Sequence, residues 1–166
     1  LMNARTMSFS PLDEADPQLR WLALDYGLKR CGLARSDRLG LSVTPLEPCP
    51  EPELLGRLQK LLGEQAYAGL VLGYPLGLDG QPTDLTAAVE KLEPLLQAAF
   101  PGLVIERWDE RLTSKQAQQA MLQSGVKKSK RSNKQYINSV AAALLLEHFL
   151  EHRQNTQQRS SSGSPA

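Results

Sequence analysis

The chain begins with short β-compatible runs and then alternates apolar, strand-length runs with stretches whose leucines recur at helical spacing, and this order constrains the fold more than any other feature. Residues 21–25 and 30–36 are two such runs joined through Tyr26-Gly27-Leu28-Lys29, which predicts an antiparallel hairpin. Residues 41–46 are expected to add a third strand. In residues 53–67, Leu54, Leu55, Leu58, Leu61 and Leu62 are spaced for one helix face, and Gly69-Leu-Val-Leu-Gly73 is a fully apolar strand. The glycine- and proline-bearing stretch 74–80 reads as a surface loop.

Thr83 is positioned to cap a second helix carrying Leu85, Val89 and Leu92, which Pro94 is expected to kink or restart. A strand over 103–108 follows. Thr113-Ser-Lys-Gln116 and Ser132-Asn-Lys-Gln135 have capping-box signatures, the first opening a helix to about residue 123. The second opens a helix over 133–152 that turns Ile137, Val140, Ala141, Leu144, Leu145 and Phe149 inward. The implied architecture is α/β, a mixed sheet with helices on both faces.

With 166 residues there is length for one domain, expected over 19–152. Residues 1–18 lack a continuous apolar run and are expected to be a disordered extension, neither signal peptide nor anchor. From Arg153 the composition turns to Gln, Ser, Gly and Pro, so 153–166 is expected to be a disordered tail. Cys31 and Cys49 match no metal or redox spacing, and are expected to be reduced thiols in a cytoplasmic protein, Cys31 as a small core residue. No stretch reaches membrane-spanning length.

Two places carry acids at strand ends. Asp25 closes the first strand and is followed by Gly27, Lys29 and Arg30, while Asp109 and Glu110 close a later strand beside Arg111. Ligands in open α/β sheets bind at the carboxyl ends of strands, so carboxylates there are offered to a ligand if the strands are parallel neighbours. Side chains alternate along a strand, so only one of Asp109 and Glu110 faces Asp25. Paired divalent ions roughly 3.5–4 Å apart serve phosphodiester cleavage, and Mg²⁺ takes hard oxygen ligands from a few acids plus substrate. Asn138, preceding Ala141-Ala142-Ala143, can lend a neutral oxygen but no charge.

Groups suited to phosphate surround these acids. Lys29, Arg30 and Arg111 flank them, and the amides after Thr113 and Ser114 form a helix N-terminus that attracts anions. Lys127, Lys128, Lys130, Arg131 and Lys134 crowd together without an acid among them, although the formal net charge is only +1. That run is expected to track a nucleic-acid backbone. His148 and His152 are one helical turn apart with no third ligand evident, so a helix surface is expected for them rather than zinc.

The stretch from Leu24-Asp25-Tyr-Gly-Leu-Lys-Arg to Ser36-Asp37, the Val71-Leu-Gly-Tyr-Pro-Leu-Gly-Leu-Asp-Gly80 loop, Asp109-Glu-Arg-Leu-Thr-Ser114 and Ile137-Asn-Ser-Val-Ala-Ala142 resemble, in order, the signatures of the YqgF/RuvX family. The resemblance covers about residues 20–151. It implies the ribonuclease H-like fold and a nuclease that matures the 5′ end of pre-16S ribosomal RNA or resolves Holliday junctions. It also implies Asp25 and Glu110 as catalytic and metal-holding acids, with Mg²⁺ or Mn²⁺ as cofactor. The family's third acid falls on Asn138, a weakened catalytic and metal position. Structured RNA, in a ribosomal precursor particle, or branched DNA would be the partner; a two-fold symmetric junction asks for a homodimer, whereas a monomer suits RNA. A binding module that grips nucleic acid without cutting it is the alternative that Asn138 raises. A nucleotide phosphotransferase, whose phosphate loop Asp-x-Gly also resembles, would need a second lobe for which the chain lacks length.

Overall fold

The computed structural model describes residues 20–109 and 134–162. Five strands form one mixed sheet in the order β3-β2-β1-β4-β5. The hairpin expected from the sequence is β1 (Arg20–Asp25) and β2 (Arg30–Ser36), antiparallel with Leu24 opposite Leu33 and Asp25 opposite Gly32. β3 (Val43–Pro50) pairs antiparallel with the far side of β2, starting and ending later than the run at 41–46 had indicated. Its prolines at 45, 48 and 50 are tolerated because this is an edge strand, where a missing N–H leaves no inner ladder unpaired.

A 3₁₀ turn (Glu51–Glu53) leads into α1 (Leu54–Glu64). α1 buries Leu54, Leu58, Leu61 and Leu62, while Leu55, expected on the same face, is 44% exposed. β4 (Tyr67–Tyr74) then enters the middle of the sheet parallel to β1. α2 (Asp84–Ala99) opens on a capping box in which Thr83 and Thr86 exchange hydrogen bonds, and β5 (Ile105–Asp109) returns parallel to β4. α2 runs unbroken through Pro94 and does not restart after it. Its ring lies on the exposed side, where water can serve the carbonyl it leaves unpaired, while Val89, Leu92 and Leu96 hold both flanking turns in the core.

α3 (Lys134–Ser162) covers the opposite face of the sheet. One core cluster joins α1 and α2 to Leu22, Leu24, Leu33, Leu70 and Leu72; the other joins Ala142, Leu146 and Phe149 of α3 to Trp21, Ala23, Ala34 and Val71. β1 and β4 are therefore apolar on both sides, which explains their unbroken apolar sequence. Of the residues expected inward on α3, Ala141, Leu145 and Phe149 are buried, whereas Ile137, Val140 and Leu144 are only partly so; the buried stripe also takes in Ser139, Ala142, Leu146 and Leu150. α3 also continues past the expected end at residue 152 to Ser162, so its last turns are helical where composition had indicated a disordered tail. Gln and Arg are good helix formers, and the Thr156 and Ser160 hydroxyls donate to the carbonyls of His152 and Thr156, so that segment extends an already nucleated helix with little apolar burial. The expected helix after Thr113 lies outside the described residues.

Candidate active site

Alternation along β1 sends Leu22 and Leu24 to the α1/α2 side and Trp21 and Ala23 to the α3 side, so Asp25 ends the strand on the α3 side, half-buried. Its cross-strand partner is Gly32. A Cβ at Gly32 would lie 2.0 Å from the carbonyl oxygen of Asn138 and 2.6 Å from the Ser139 nitrogen, so the absent side chain is what allows α3 to rest directly on β2. Two hydrogen bonds hold this seat. Asn138 Nδ2 donates to the Arg30 carbonyl at 3.5 Å, and the Leu33 N–H donates to the buried Ser139 Oγ at 3.4 Å. Asp25, Arg30, Gly32 and Asn138 thus share one corner of the sheet.

The turn beyond Asp25 is braced from outside the corner. Tyr26 Oη donates to Glu51 Oε1 at 3.1 Å, and the Glu51 N–H donates to the Lys29 carbonyl at 2.9 Å. Burial, then the Glu51 hydrogen bond, push the Tyr26 hydroxyl up to about 12. Gly27 is required here, since a Cβ would meet the Arg30 carbonyl at 2.3 Å. Lys29 is exposed at the turn and Arg30 is half-buried at the start of β2.

β1, β4 and β5 run parallel as neighbours, so their carboxyl ends coincide at one edge. Asp109 is paired with Tyr74 there, but alternation with Ile105 and Arg107 assigns it to the α1/α2 side, away from Asp25. Two strand spacings, roughly 9.6 Å, also separate the two strand ends. On that side Arg107 Nε bonds Glu93 at 2.6 Å and its guanidinium lies 4.9 Å from the Tyr74 ring centre, while Tyr74 Oη donates to Glu90 at 2.5 Å. Between the two strands, residues 75–82 form the loop expected after β4. The loop is tied by Thr86 Oγ1 to the Pro75 carbonyl and by the Gly77 N–H to the Gln81 carbonyl at 2.8 Å, with Gly80 at φ 79°.

Glu110, Arg111, Thr113, Ser114, Lys127, Lys128, Lys130 and Arg131 lie outside the described residues. Lys134 begins α3, one turn before Asn138. Among the described residues no group of three or more His, Cys, Asp and Glu side chains gathers as a metal cage. Asp25 and Asn138, which lie on either side of Gly32, carry hard oxygen donors; Cys31 and Cys49 belong to the opposite face. His148 and His152 are exposed on α3, as expected, with the His152 ring 5.4 Å from that of Trp108. Sequence reasoning missed Gly32, Ser139 and the Tyr26–Glu51 brace. The only signal for the seat was the coincidence of a glycine inside a strand with small residues on the last helix, features that mark close backbone approach.

With this geometry in hand, comparison with known proteins is specific. The family model described as "RuvX: Holliday junction resolvase" matches residues 19–152. A protein of Chlorobium phaeobacteroides named "Putative pre-16S rRNA nuclease" is 37% identical over 139 residues, covering 84% of this chain and 96% of its own. One of the same name from Flavobacterium psychrophilum is 33% identical, covering 81% and 98%. Among solved structures, Thermus thermophilus RuvC in complex with Holliday junction substrate superimposes with a TM-score of 0.54 at 17% identity, covering 83% of this chain and 97% of that one. The Fowlpox virus resolvase in complex with junction DNA gives 0.52 at 11% identity, covering 81% and 99%. These likenesses show the ribonuclease H-like fold, and the match along nearly the whole length of its relatives establishes that the chain belongs to the RuvX family.

Proposed function

We propose that this chain is a divalent-metal-dependent nuclease that hydrolyses phosphodiesters in structured RNA, trimming the 5′ end of pre-16S ribosomal RNA in the cytoplasm. The observation that carries the reading is the corner at the carboxyl edge of β1, where Gly32 has Asp25 as its cross-strand partner and the Asn138 backbone packed against it. The names of the curated relatives support the RNA substrate. Among the described residues no helix is long and apolar enough to cross a membrane.

In this reading Asp25 and Glu110 hold Mg²⁺ or Mn²⁺, and the alternation that turns Asp109 away supports Glu110 as the second acid. Asn138 supplies a neutral oxygen, its nitrogen being engaged on the Arg30 carbonyl. When bound, the cations supply charge neutralisation and an activated water. Lys29, Arg30, Arg111 and the basic run from Lys127 through Lys128, Lys130 and Arg131 to Lys134 hold phosphates, and the amides beyond Thr113 and Ser114 accept another. Water is the nucleophile.

The test compares labelled precursor ribosomal RNA with four-way DNA junctions, each with Mg²⁺, Mn²⁺ or chelator. Trimming of the RNA at its 5′ end, abolished by chelator and by Asp25→Asn, is expected. Asn138→Asp restores a third carboxylate and is expected to raise the rate about tenfold or more, since a single preorganised electrostatic group is worth that much and above. Equal rates in all three proteins would remove the site assignment. The family description favours a second reading, resolution of branched DNA by a dimer presenting two such corners. Symmetric junction cleavage together with a dimeric mass would decide for it. Metal-independent binding with no product from either substrate would leave a module that grips without cutting.

A further inference from the structure

We propose that Cys31 and Cys49 form a redox-active dithiol, a modification site that closes to a cross-strand disulfide when the protein meets a low-molecular-weight disulfide such as oxidised glutathione. They are the two cysteines of the chain, and neither is bonded in the structure. They are register partners across β2 and β3, and both side chains enter the same buried cluster. Directly opposed residues of an antiparallel pair have Cα atoms about 4.5–5.5 Å apart. A disulfide spans about 4.4–6.8 Å between Cα atoms, so joining the sulfurs demands no rearrangement of the sheet.

Admitting the oxidant does demand one, because Cys31 is fully buried and Cys49 nearly so. The edge provides for it. β3 is the outermost strand, carries Pro45, Pro48 and Pro50, which donate no backbone hydrogen bond, and its register slips beside the pair, between Cys31 and Leu33. A strand so held opens locally at a lower free energy than β1 or β4 within the sheet.

The two thiols are not equivalent. Cys31 donates its S–H to the Gly27 carbonyl at 3.7 Å, and burial pushes it up to about 12, so it stays protonated. Burial, reinforced by Glu53, also raises Cys49, with the Arg57 guanidinium offsetting part of that rise, and Arg57 Nε is buried without a hydrogen-bond partner among the described residues. Once β3 opens at the edge, Cys49 loses its proton to solvent and its thiolate attacks one sulfur of the small disulfide, breaking its S–S bond and releasing one thiolate. This thiolate takes the Cys31 proton, and the Cys31 sulfur attacks Cys49 Sγ, displacing the second thiolate, which is protonated by solvent. Two cysteine thiols are oxidised and one small disulfide is reduced to two thiols. The new bond removes the Cys31 donor from Gly27 and ties β3 to the turn that Glu51 already grips through Tyr26 and Lys29. The redox state is thus read at the turn beside Asp25.

The full chain, equilibrated against graded ratios of glutathione to its disulfide, tests this by intact mass, peptide mapping and non-reducing electrophoresis. Expected are a loss of roughly two mass units, simultaneous disappearance of both thiols, a monomeric band and full reversal by dithiothreitol. Cys31→Ser is expected to stop at one glutathione on Cys49, Cys49→Ser to stay unmodified over the same period, and Arg57→Gln to slow thiol loss several-fold. Persistence of both thiols under the most oxidising ratio, glutathione on Cys31, or a disulfide between two chains would overturn the proposal. Should the serine variants fail to fold, the peptide map of the unaltered chain decides alone: a linked pair containing residues 31 and 49 supports it, and its absence refutes it.

Discussion

Gly32 has no side chain, and the Asn138–Ser139 peptide sits where one would be. Gly32→Ala is therefore expected to cost about 1–3 kcal/mol through overpacking, read as a lowered denaturation midpoint. It should also depress nuclease activity by lifting Asn138 from the corner. Gly56→Ala is the matched control: nothing lies within 4 Å of its added Cβ, and it falls inside α1. That change is expected to stabilise the protein by roughly 0.5–1 kcal/mol. Tyr26 gives a pH signature for the brace on the turn. Its hydroxyl is raised from 10.0 to about 12 by burial and then by the Glu51 hydrogen bond. A raised value means that the stabilisation is complete below pH 10 and disappears as the pH climbs through about 12. Tyrosinate absorbance should therefore show one of the tyrosines titrating late, and Glu51→Gln should bring it earlier. An unchanged titration in that variant would show that the brace does not hold Tyr26.

At the level of elements, α2 shows how packing overrides a local breaker. Pro94 lacks an N–H and crowds the carbonyl of Glu90, yet the helix passes through it because Val89, Leu92 and Leu96 anchor both sides. Pro94→Ala is expected to restore the missing hydrogen bond and stabilise the fold by roughly 1–3 kcal/mol, measured by denaturant titration, since the exposed site needs no repacking. A destabilised variant would mean that the proline is needed to shape the helix. The cap was legible as Thr83, but its partner was not: Thr86 replaces the usual Glu of a capping box, and its buried hydroxyl also reaches the Pro75 carbonyl. α3 follows its reading in part: Ala141, Leu145 and Phe149 are inward, whereas Ile137, Val140 and Leu144 are half-buried. Apolar periodicity indicates that one side is inward, but not how far a helix lying across a sheet will roll, and Ser139 is inside because Leu33 offers it a hydrogen bond.

For the molecule as a whole, β1, β4 and β5 end together at one sheet edge, with Asp25 and Asp109 on opposite faces of it, and α3 closes the Asp25 side. The end of α3 contributes little to that closure. Its last inward contacts are Arg153, 5.1 Å from the Trp21 ring centre, and Gln154, bonded to the Gly40 carbonyl at 3.3 Å. Removing residues 155–166 is expected to leave stability within about 0.5 kcal/mol, checked by thermal melting; a larger loss would assign the exposed turns a structural role.

The order of the described strands and helices, the hairpin, the α/β class and the family were all determined by sequence alone, because apolar period, turn chemistry and short motifs are local properties. Asp25 as a strand-end acid was legible for the same reason. That β4 inserts between β1 and β5, that Asp109 turns away from Asp25, that Gly32 receives the α3 backbone and that Cys31 faces Cys49 were decided only by tertiary structure. Strand order, helix roll and cross-strand register depend on contacts between residues far apart in the chain, and no local pattern encodes which distant partner will fill a given space.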